Sequence, residues 1–253
     1  MESNKHDILT SAEEAPYVVL NEDSNYPVLL VCDHASNRFP LSLDSMKLDQ
    51  RVQDSHLAID IGARNVTCKL AKKLNCTAVI CEYSRLVIDC NRDLNDIDIF
   101  LQSGDGVVIE GNHNLSEDHK RSRAKEIYWP YHNSIEAEIN RLALKKIKPL
   151  FVSIHSFTPK MDGQERPWEL GVLWHKDEVT ARHFLREFSK ADFSVGDNQP
   201  YTGKGSRNFT IQYHAEKNNL SHVSIEMRQD IVSYHVGLNS MTELLGDAIK
   251  KIS

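Results

Sequence analysis

Two histidines in this chain stand where chemistry is possible. His34 follows the apolar run YPVLLVC and opens the polar cluster DHASN, and His155 lies at the end of PLFVSIHSF. An imidazole at the tip of each of two buried strands can be aimed at one point in a cleft. Zinc in catalytic sites accepts such nitrogens, takes a third protein ligand and keeps one position open. The long gap between the two matches no short zinc motif such as HExxH, so either ring taken alone can equally be a structural hydrogen-bonding group. For the third ligand, Asn37 stands three residues after His34, while Asp33 and Asp60 offer the carboxylate that zinc prefers to an amide. His56 is a further imidazole, able to ligate or to orient a ligand from behind. Asp60 has a plainer reading as a helix-capping or solvated residue.

Glu226 sits inside the strand-like SHVSIEMRQD, where a carboxylate must be paired, hydrated or close to a metal. In a hydrolytic site it would serve as general base, taking a proton from attacking water and returning it to a leaving amine. An ion pair with Arg228 is the structural alternative. Asn91 and Arg92 end VIDCNRD, with Arg85 just upstream in EYSRL. The planar guanidinium fork fits a carboxylate or a developing oxyanion, although a bridge to Asp89, Asp93 or Asp96 would also explain Arg92. Lys204 and Arg207, in YTGKGSRNFT, read either as substrate-facing cations on a loop or as a solvated turn. Ser36 and Ser156 neighbour the histidines, but no G-x-S-x-G elbow supports a serine nucleophile. Neither a Walker A loop nor a GxGxxG precedes a helix.

The elements that must carry these residues alternate. YPVLLVC, CTAVICEY, PLFVSIHSF, ELGVLWH and VSIEMRQD read as strands, and SRLVIDCNRD as a further short one ending in a polar cluster. A helical spacing runs through Ile59, Ala63, Val66, Leu70 and Leu74, with Asp54 or Ser55 as cap. Residues 117–146 form a long helical stretch in which Pro130 introduces a kink or starts a second helix. Residues 178–190 and 241–251 supply further helices, and residues 95–116 read as irregular loop. The pattern predicts an α/β fold: a single-domain mixed sheet with helices on both faces and function at strand ends. Residues 1–24 read as a loosely attached N-terminal extension with an edge strand at Tyr17–Leu20, and residues 25–253 as the catalytic domain.

The composition sets limits on partners. In 253 residues, 40% hydrophobic and 26% charged, the scattered Lys and Arg leave a net charge of −6, with no basic field for nucleic acid. A small anionic substrate needs only local arginines. The five cysteines show no paired CxxC spacing and an odd count, so reduced, buried thiols are expected. The polar N-terminus lacks a signal-peptide core and no apolar run is long enough to span a bilayer, which predicts a cytoplasmic protein without membrane association.

Seven motifs in order, VCDHASNRFP, DSHLAIDIGA, EYSRLVIDCNRD, YWPYHNSI, SIHSFTP with RPWELGVLW, VGDNQPYTGKG and SIEMRQD, resemble the N-formylglutamate amidohydrolase family over roughly residues 25–235. That family is similar to the zinc carboxypeptidases, and the resemblance implies a phosphorylase/hydrolase-like mixed sheet with a zinc site at strand ends. It implies His34 and His155 as metal ligands, Glu226 as general base, and Asn91 with Arg92 engaging substrate carboxylate or carbonyl. It further implies hydrolysis of N-formyl-L-glutamate to formate and glutamate in histidine breakdown, on a small anionic N-acyl amino acid. One departure stands out: the carboxypeptidase pattern places Glu three residues after its first histidine, where this chain has Asn37. Weak coordination by Asn37, substitution by Asp60 or another carboxylate, and looser metal binding all remain open. So do a metallocarboxypeptidase or deacylase acting on another acidic substrate, and a non-catalytic binding protein retaining the fold.

Overall fold

The apolar runs do become strands, and seven of them form one mixed sheet in the computed structural model, which describes residues 7–252. They are β1 (Tyr17–Leu20), β2 (Val28–Cys32), β3 (Thr77–Cys81), β4 (Leu150–Phe157), β5 (Leu170–Leu173), β6 (Val195–Asp197) and β7 (His222–Arg228). Their order across the sheet is β1-β3-β2-β4-β7-β5-β6. The central β3, β2, β4 and β7 are parallel. Outside this group, β1 is antiparallel to β3 at one edge, and β5 is antiparallel to β7 with β6 parallel to β5 at the other, so the sheet is mixed. The loop after β4 returns the chain in the opposite direction, as the sequence pattern predicts.

Four principal helices cover the two faces: α1 (Ala63–Leu74), α2 (Trp129–Leu144), α3 (Glu178–Phe188) and α4 (His235–Lys250). Strand periodicity divides the core. Val28, Leu30 and Cys32 of β2 pack with Val66 and Leu70 of α1, Phe184 of α3 and Met241 of α4. Leu29 and Val31 face the opposite way, with Tyr131 and Ile135 of α2. The same alternation sends Val223, Ile225 and Met227 of β7 into the first core. Ser224 and Glu226 are therefore left on the α2 face, and by the same phase so are Ser153 and His155 of β4.

Two local readings are corrected, and the alternatives at Pro130 are decided in favour of a second helix. The helix expected from Ile59 begins at Ala63, after Gly62 in a left-handed conformation, because the Asp60 amide is drawn into a bond with the His34 carbonyl at 3.0 Å. Asp54 and Ser55 do not cap it. SRLVIDCNRD is not a strand: it runs as successive turns, with Val87 N–H on Ser84 O and Arg92 N–H on Asp89 O. Its Leu86, Val87 and Ile88 are apolar because they fill the α2-side core, not because they pair with a neighbour. Pro130 falls in the first turn of α2, after a helix over Glu117–Arg123 and a wide turn over Ala124–Tyr128. The wide turn lets the chain stay helical past a residue with no N–H to give. Among the described residues no helix is long and apolar enough to cross a membrane.

The α2-side core holds a buried histidine pair whose tautomers can be deduced. His132 Nε2 lies 2.9 Å from the Cys90 carbonyl, which only accepts, so His132 carries its proton there and offers Nδ1 as acceptor. His214 Nε2–H, 2.9 Å away, is the donor to it. Burial holds His132 down to about 4 and His214 down to about 3. Between the unfolded value near 6.5 and these lowered values the unfolded chain binds protons that the folded chain refuses, so stability is lost as pH falls through that window. The melting temperature should therefore drop between pH 6.5 and 4, with a loss on the order of 3 kcal/mol for each ring by pH 4. A His214→Gln variant, which keeps the donor and removes one titrating ring, should show a shallower slope in the same pH-dependent melts.

Candidate metal centre

The C-terminal ends of β2, β4 and β7 bring the predicted chemistry together. Parallel pairing sets Glu226 of β7 directly beside His155 of β4. His34, just past β2, stacks its ring at a tilt with the ring of His155, centroids 5.1 Å apart. Asp60 reaches both from the loop before α1: its Oδ2 lies 2.9 Å from His155 Nδ1 and 3.3 Å from His34 Nδ1. One ligand atom from each of His34, Asp60 and His155 lies within 4.8 Å of the others, and all three residues are buried. The carboxylate beside the two imidazoles is thus Asp60. The Asn37 amide is engaged with another group, donating to Asp54 Oδ1 at 2.8 Å on the exposed side.

Behind each ring stands a further carboxylate. His34 Nε2 donates to Asp89 Oδ1 at 2.7 Å, and His155 Nε2 lies 3.2 Å from Asp33 Oδ2 and 2.9 Å from Ser153 Oγ. Asp33 is itself held by the hydroxyls of Tyr131 and Thr210, each at 2.8 Å. With protons committed at Nε2, both Nδ1 atoms face the same carboxylate oxygen. That arrangement requires positive charge between them, either a proton on each ring or a shared cation. Two imidazole nitrogens and a carboxylate oxygen, the rings fixed from behind by carboxylates, form a donor set that fits zinc.

The titration behaviour carries the same demand. Burial works against ionisation of Asp60, yet the His34 charge and the bonds from both rings hold its carboxyl well below the usual range. Burial likewise opposes charge on His155, but the bonds from Asp33 and Asp60 outweigh it and raise the ring well above its ordinary value. Glu226 differs. Desolvation dominates and pushes it up to about 7, and its buried Oε2 has no hydrogen-bond partner. Gly171 of β5 stands opposite it; a Cβ there would fall 2.1 Å from the Gln199 carbonyl oxygen and 3.1 Å from Glu226 Cβ, so only glycine fits.

The cationic candidates separate. Arg85 lies against the cluster, with one guanidinium nitrogen 2.7 Å from Asp89 Oδ2 and another 3.5 Å from Asp60 Oδ1, and its side chain is 25% exposed. Arg92 is 11% exposed and is shared among Asp89, Asp96 and Asp98 at 3.5 to 3.9 Å. Asn91 places its amide nitrogen 3.4 Å from His155 Nε2 and accepts from the Thr210 amide. Lys204 is exposed, and Arg207 is exposed beside Asp98 at 3.5 Å. Sequence reasoning did not single out Asp89 as a histidine partner, nor Arg166 and Tyr201. Arg166 donates to the Tyr201 hydroxyl at 2.9 Å, and that hydroxyl is raised by burial and by the nearby Glu226 charge. Their signal lay in the motifs RPWELGVLW and PYTGKG, not in residue type.

Comparison with known proteins bears on this geometry. A sequence profile of the N-formylglutamate amidohydrolase family matches residues 26–233. The solved structure of a gene product from Agrobacterium tumefaciens is 32% identical, covering 96% of this chain and 97% of its own, with a TM-score of 0.93. The N-formylglutamate amidohydrolase from Ralstonia eutropha shares the fold at 14% identity and a TM-score of 0.71, over 94% of this chain and 97% of its own. No curated protein matches the sequence. With a buried His34, Asp60 and His155 cluster at the strand ends and a family profile covering most of its length, the chain belongs to the N-formylglutamate amidohydrolase family.

Proposed function

We propose that this protein hydrolyses the amide bond of an acidic N-acyl amino acid, N-formyl-L-glutamate foremost, releasing formate and glutamate. The observation that carries the reading is the unpartnered, buried Glu226 carboxylate, one strand over from the His155 ring and facing the same cluster. His34, Asp60 and His155 would hold a divalent ion, which when bound would supply Lewis-acid polarisation of the scissile carbonyl. The remaining steps belong to the chain's own groups. Ionised Glu226 accepts a proton from the attacking water and passes it to the departing nitrogen, a task suited to a carboxyl whose pKa lies near neutrality. Arg85, partly exposed at the rim, pairs with a substrate carboxylate or the developing oxyanion, while Arg166 and Tyr201 add polar groups beside Glu226. Arg92 keeps Asp89 in place from within. Asn91 fixes the His155 surroundings, and Lys204 and Arg207 attract the anion from the outer loop. In this reading residues 25–253 are the catalytic body, preceded by the 1–24 extension, in a cytoplasmic enzyme of amino-acid breakdown.

Comparing turnover of N-formylglutamate, N-acetylglutamate and short acidic peptides tests the substrate. The formyl compound should lead, and a preference for peptide would overturn the assignment. Glu226→Gln, which preserves shape and removes the base, should lower kcat by about a hundredfold or more with melting temperature and metal content unchanged. Exhaustive chelation should abolish turnover, and added zinc should restore it. Asp89→Asn, which leaves His34 without its carboxylate, should weaken zinc binding at this site roughly 10- to 100-fold, read by competition with a chromophoric chelator.

A further inference from the structure

Among the described residues Arg166 has no carboxylate partner. Its half-buried guanidinium meets the Tyr201 hydroxyl, to which it donates at 2.9 Å, the weakly accepting sulfur of Met161, and the faces of the Tyr201 and Phe157 rings, whose centroids lie 4.8 and 5.9 Å away. Rings hold a cation by their faces and fill none of its donors. By contrast Arg85, Arg92 and Arg228 are each paired with at least one Asp. The backbone on both sides fixes Arg166: its N–H donates to Pro159 O at 2.8 Å, and its carbonyl accepts from Arg228 at 3.4 Å. Phe157 is two residues beyond His155 on β4 and, by strand alternation, on the same face, so the ring under Arg166 stands roughly 7 Å outward from His155 along the strand.

Tyr201 is held as firmly. Asn198 Oδ1 accepts from the amides of Trp174 and Gly203 at 3.0 and 2.9 Å, which ties the loop carrying Tyr201 to the end of β5. A Cβ at Gly203 would fall 2.5 Å from the Trp174 backbone, so this closure needs glycine. Burial raises the Tyr201 hydroxyl and the Glu226 charge adds to it, while Arg166 and Arg85 oppose, so the proton carrier and both guanidiniums lie within reach of one phenol. Burial likewise lowers the His56 ring against the pull of Asp105, and both guanidiniums push the same way as burial.

A half-buried guanidinium with open donors, set beside the proton-accepting group of a hydrolytic site, is completed by an anion from outside the chain. We propose that Arg166, oriented by Tyr201, is the specificity-determining residue that takes the side-chain carboxylate of the substrate, and so selects an N-acyl dicarboxylate over an N-acyl amino acid with a neutral side chain. The proposal rests on the hydrolytic reading above and adds a division of labour to it. Arg85 lies against Asp60 and Asp89 in the cluster itself, beside the reacting carbonyl, and two carboxylates already draw on it. Arg166 answers to none and stands farther out, over Phe157, on the side toward which a substrate anchored at the cluster extends its remaining carboxylate. The Tyr201 hydroxyl accepts from Arg166 and has no acceptor of its own among the described residues, which leaves its proton as a further donor to the same carboxylate. The rings of Phe157 and Tyr201 keep water from the cation, which strengthens its hold on an anion and makes a neutral group in that place unfavourable.

The test compares N-formyl-L-glutamate with N-formyl-L-glutamine, which differs only by an amide in place of the side-chain carboxylate. The zinc-loaded full chain should favour the glutamate compound. Arg166→Gln should lower kcat/KM for that compound by about a hundredfold, mainly through KM, and leave the glutamine compound within a few-fold of the parent, so that the preference collapses. Arg166→Lys, which keeps the charge and loses the fork, should retain part of the preference, and Tyr201→Phe should weaken it by a smaller factor; both also serve if Arg166→Gln melts early. An equal fall on the two substrates in Arg166→Lys and Tyr201→Phe would show a merely structural role and overturn the proposal. A parent-like preference in folded Arg166→Gln would overturn it as well, because another cation would then read the side chain. Calorimetric binding of L-glutamate against L-glutamine separates this from catalysis. A parent that turns over neither formyl compound, yet binds glutamate more tightly and loses that difference in Arg166→Gln, would count against the hydrolytic reading alone; equal affinity of the parent for both amino acids, together with equal turnover of both formyl compounds, would overturn the present proposal alone.

Discussion

One carboxylate oxygen organises the active end of this molecule. Asp60 Oδ2 meets the Nδ1 atoms of both His34 and His155, while the other nitrogen of each ring is engaged by Asp89 or Asp33. Buried charge of this density is tolerable only when every lone pair meets a proton or a cation, because desolvation otherwise costs several kcal/mol per ion. The requirement fixes both the tautomers and the composition of the surroundings. Tyr131, Thr210 and Ser153 spend their hydroxyls on Asp33, and Arg85 spans Asp60 and Asp89.

Glu226 is the member left outside that web. It shares the strand row with His155 yet has an unpartnered oxygen, and burial raises it toward neutrality when its neighbours Asp33, Asp60 and Asp89 are held low. Carboxylates of one chemical type are thereby divided, by environment alone, into three held ionised beside the rings and one, Glu226, raised toward neutrality. Gly171 contributes by having no side chain: the close backbone of Gln199 fits against β5 only because nothing projects there.

The arginines show how exposure sorts residues that look alike in sequence. Arg85 and Arg92 flank the same Asp89, but Arg92 is enclosed among three carboxylates whereas Arg85 keeps a quarter of its side chain open. Only a guanidinium with unfilled donors can take hold of an incoming anion. Arg166 and Tyr201, whose hydroxyl lies within reach of the Glu226 charge, add a second polar wall from segments distant in sequence.

The sequence by itself determined the α/β class, the buried strands, and the candidacy of His34, His155 and Glu226, because continuous apolar runs and period-two alternation act over a few residues and depend on nothing distant. It named Asp60 and Asn37 together as third-ligand candidates without choosing between them, since proximity along the chain favours Asn37 while chemistry favours a carboxylate. Only the tertiary structure brought Asp60 across to both rings and turned Asn37 toward Asp54. It also decided that SRLVIDCNRD is a series of turns, because an apolar side chain is needed equally for filling a core and for forming a strand, and the choice lies in which backbone is free to pair. Local pattern therefore reports burial and direction; convergence of groups from separate strands is a property of the sheet order, which no local pattern contains.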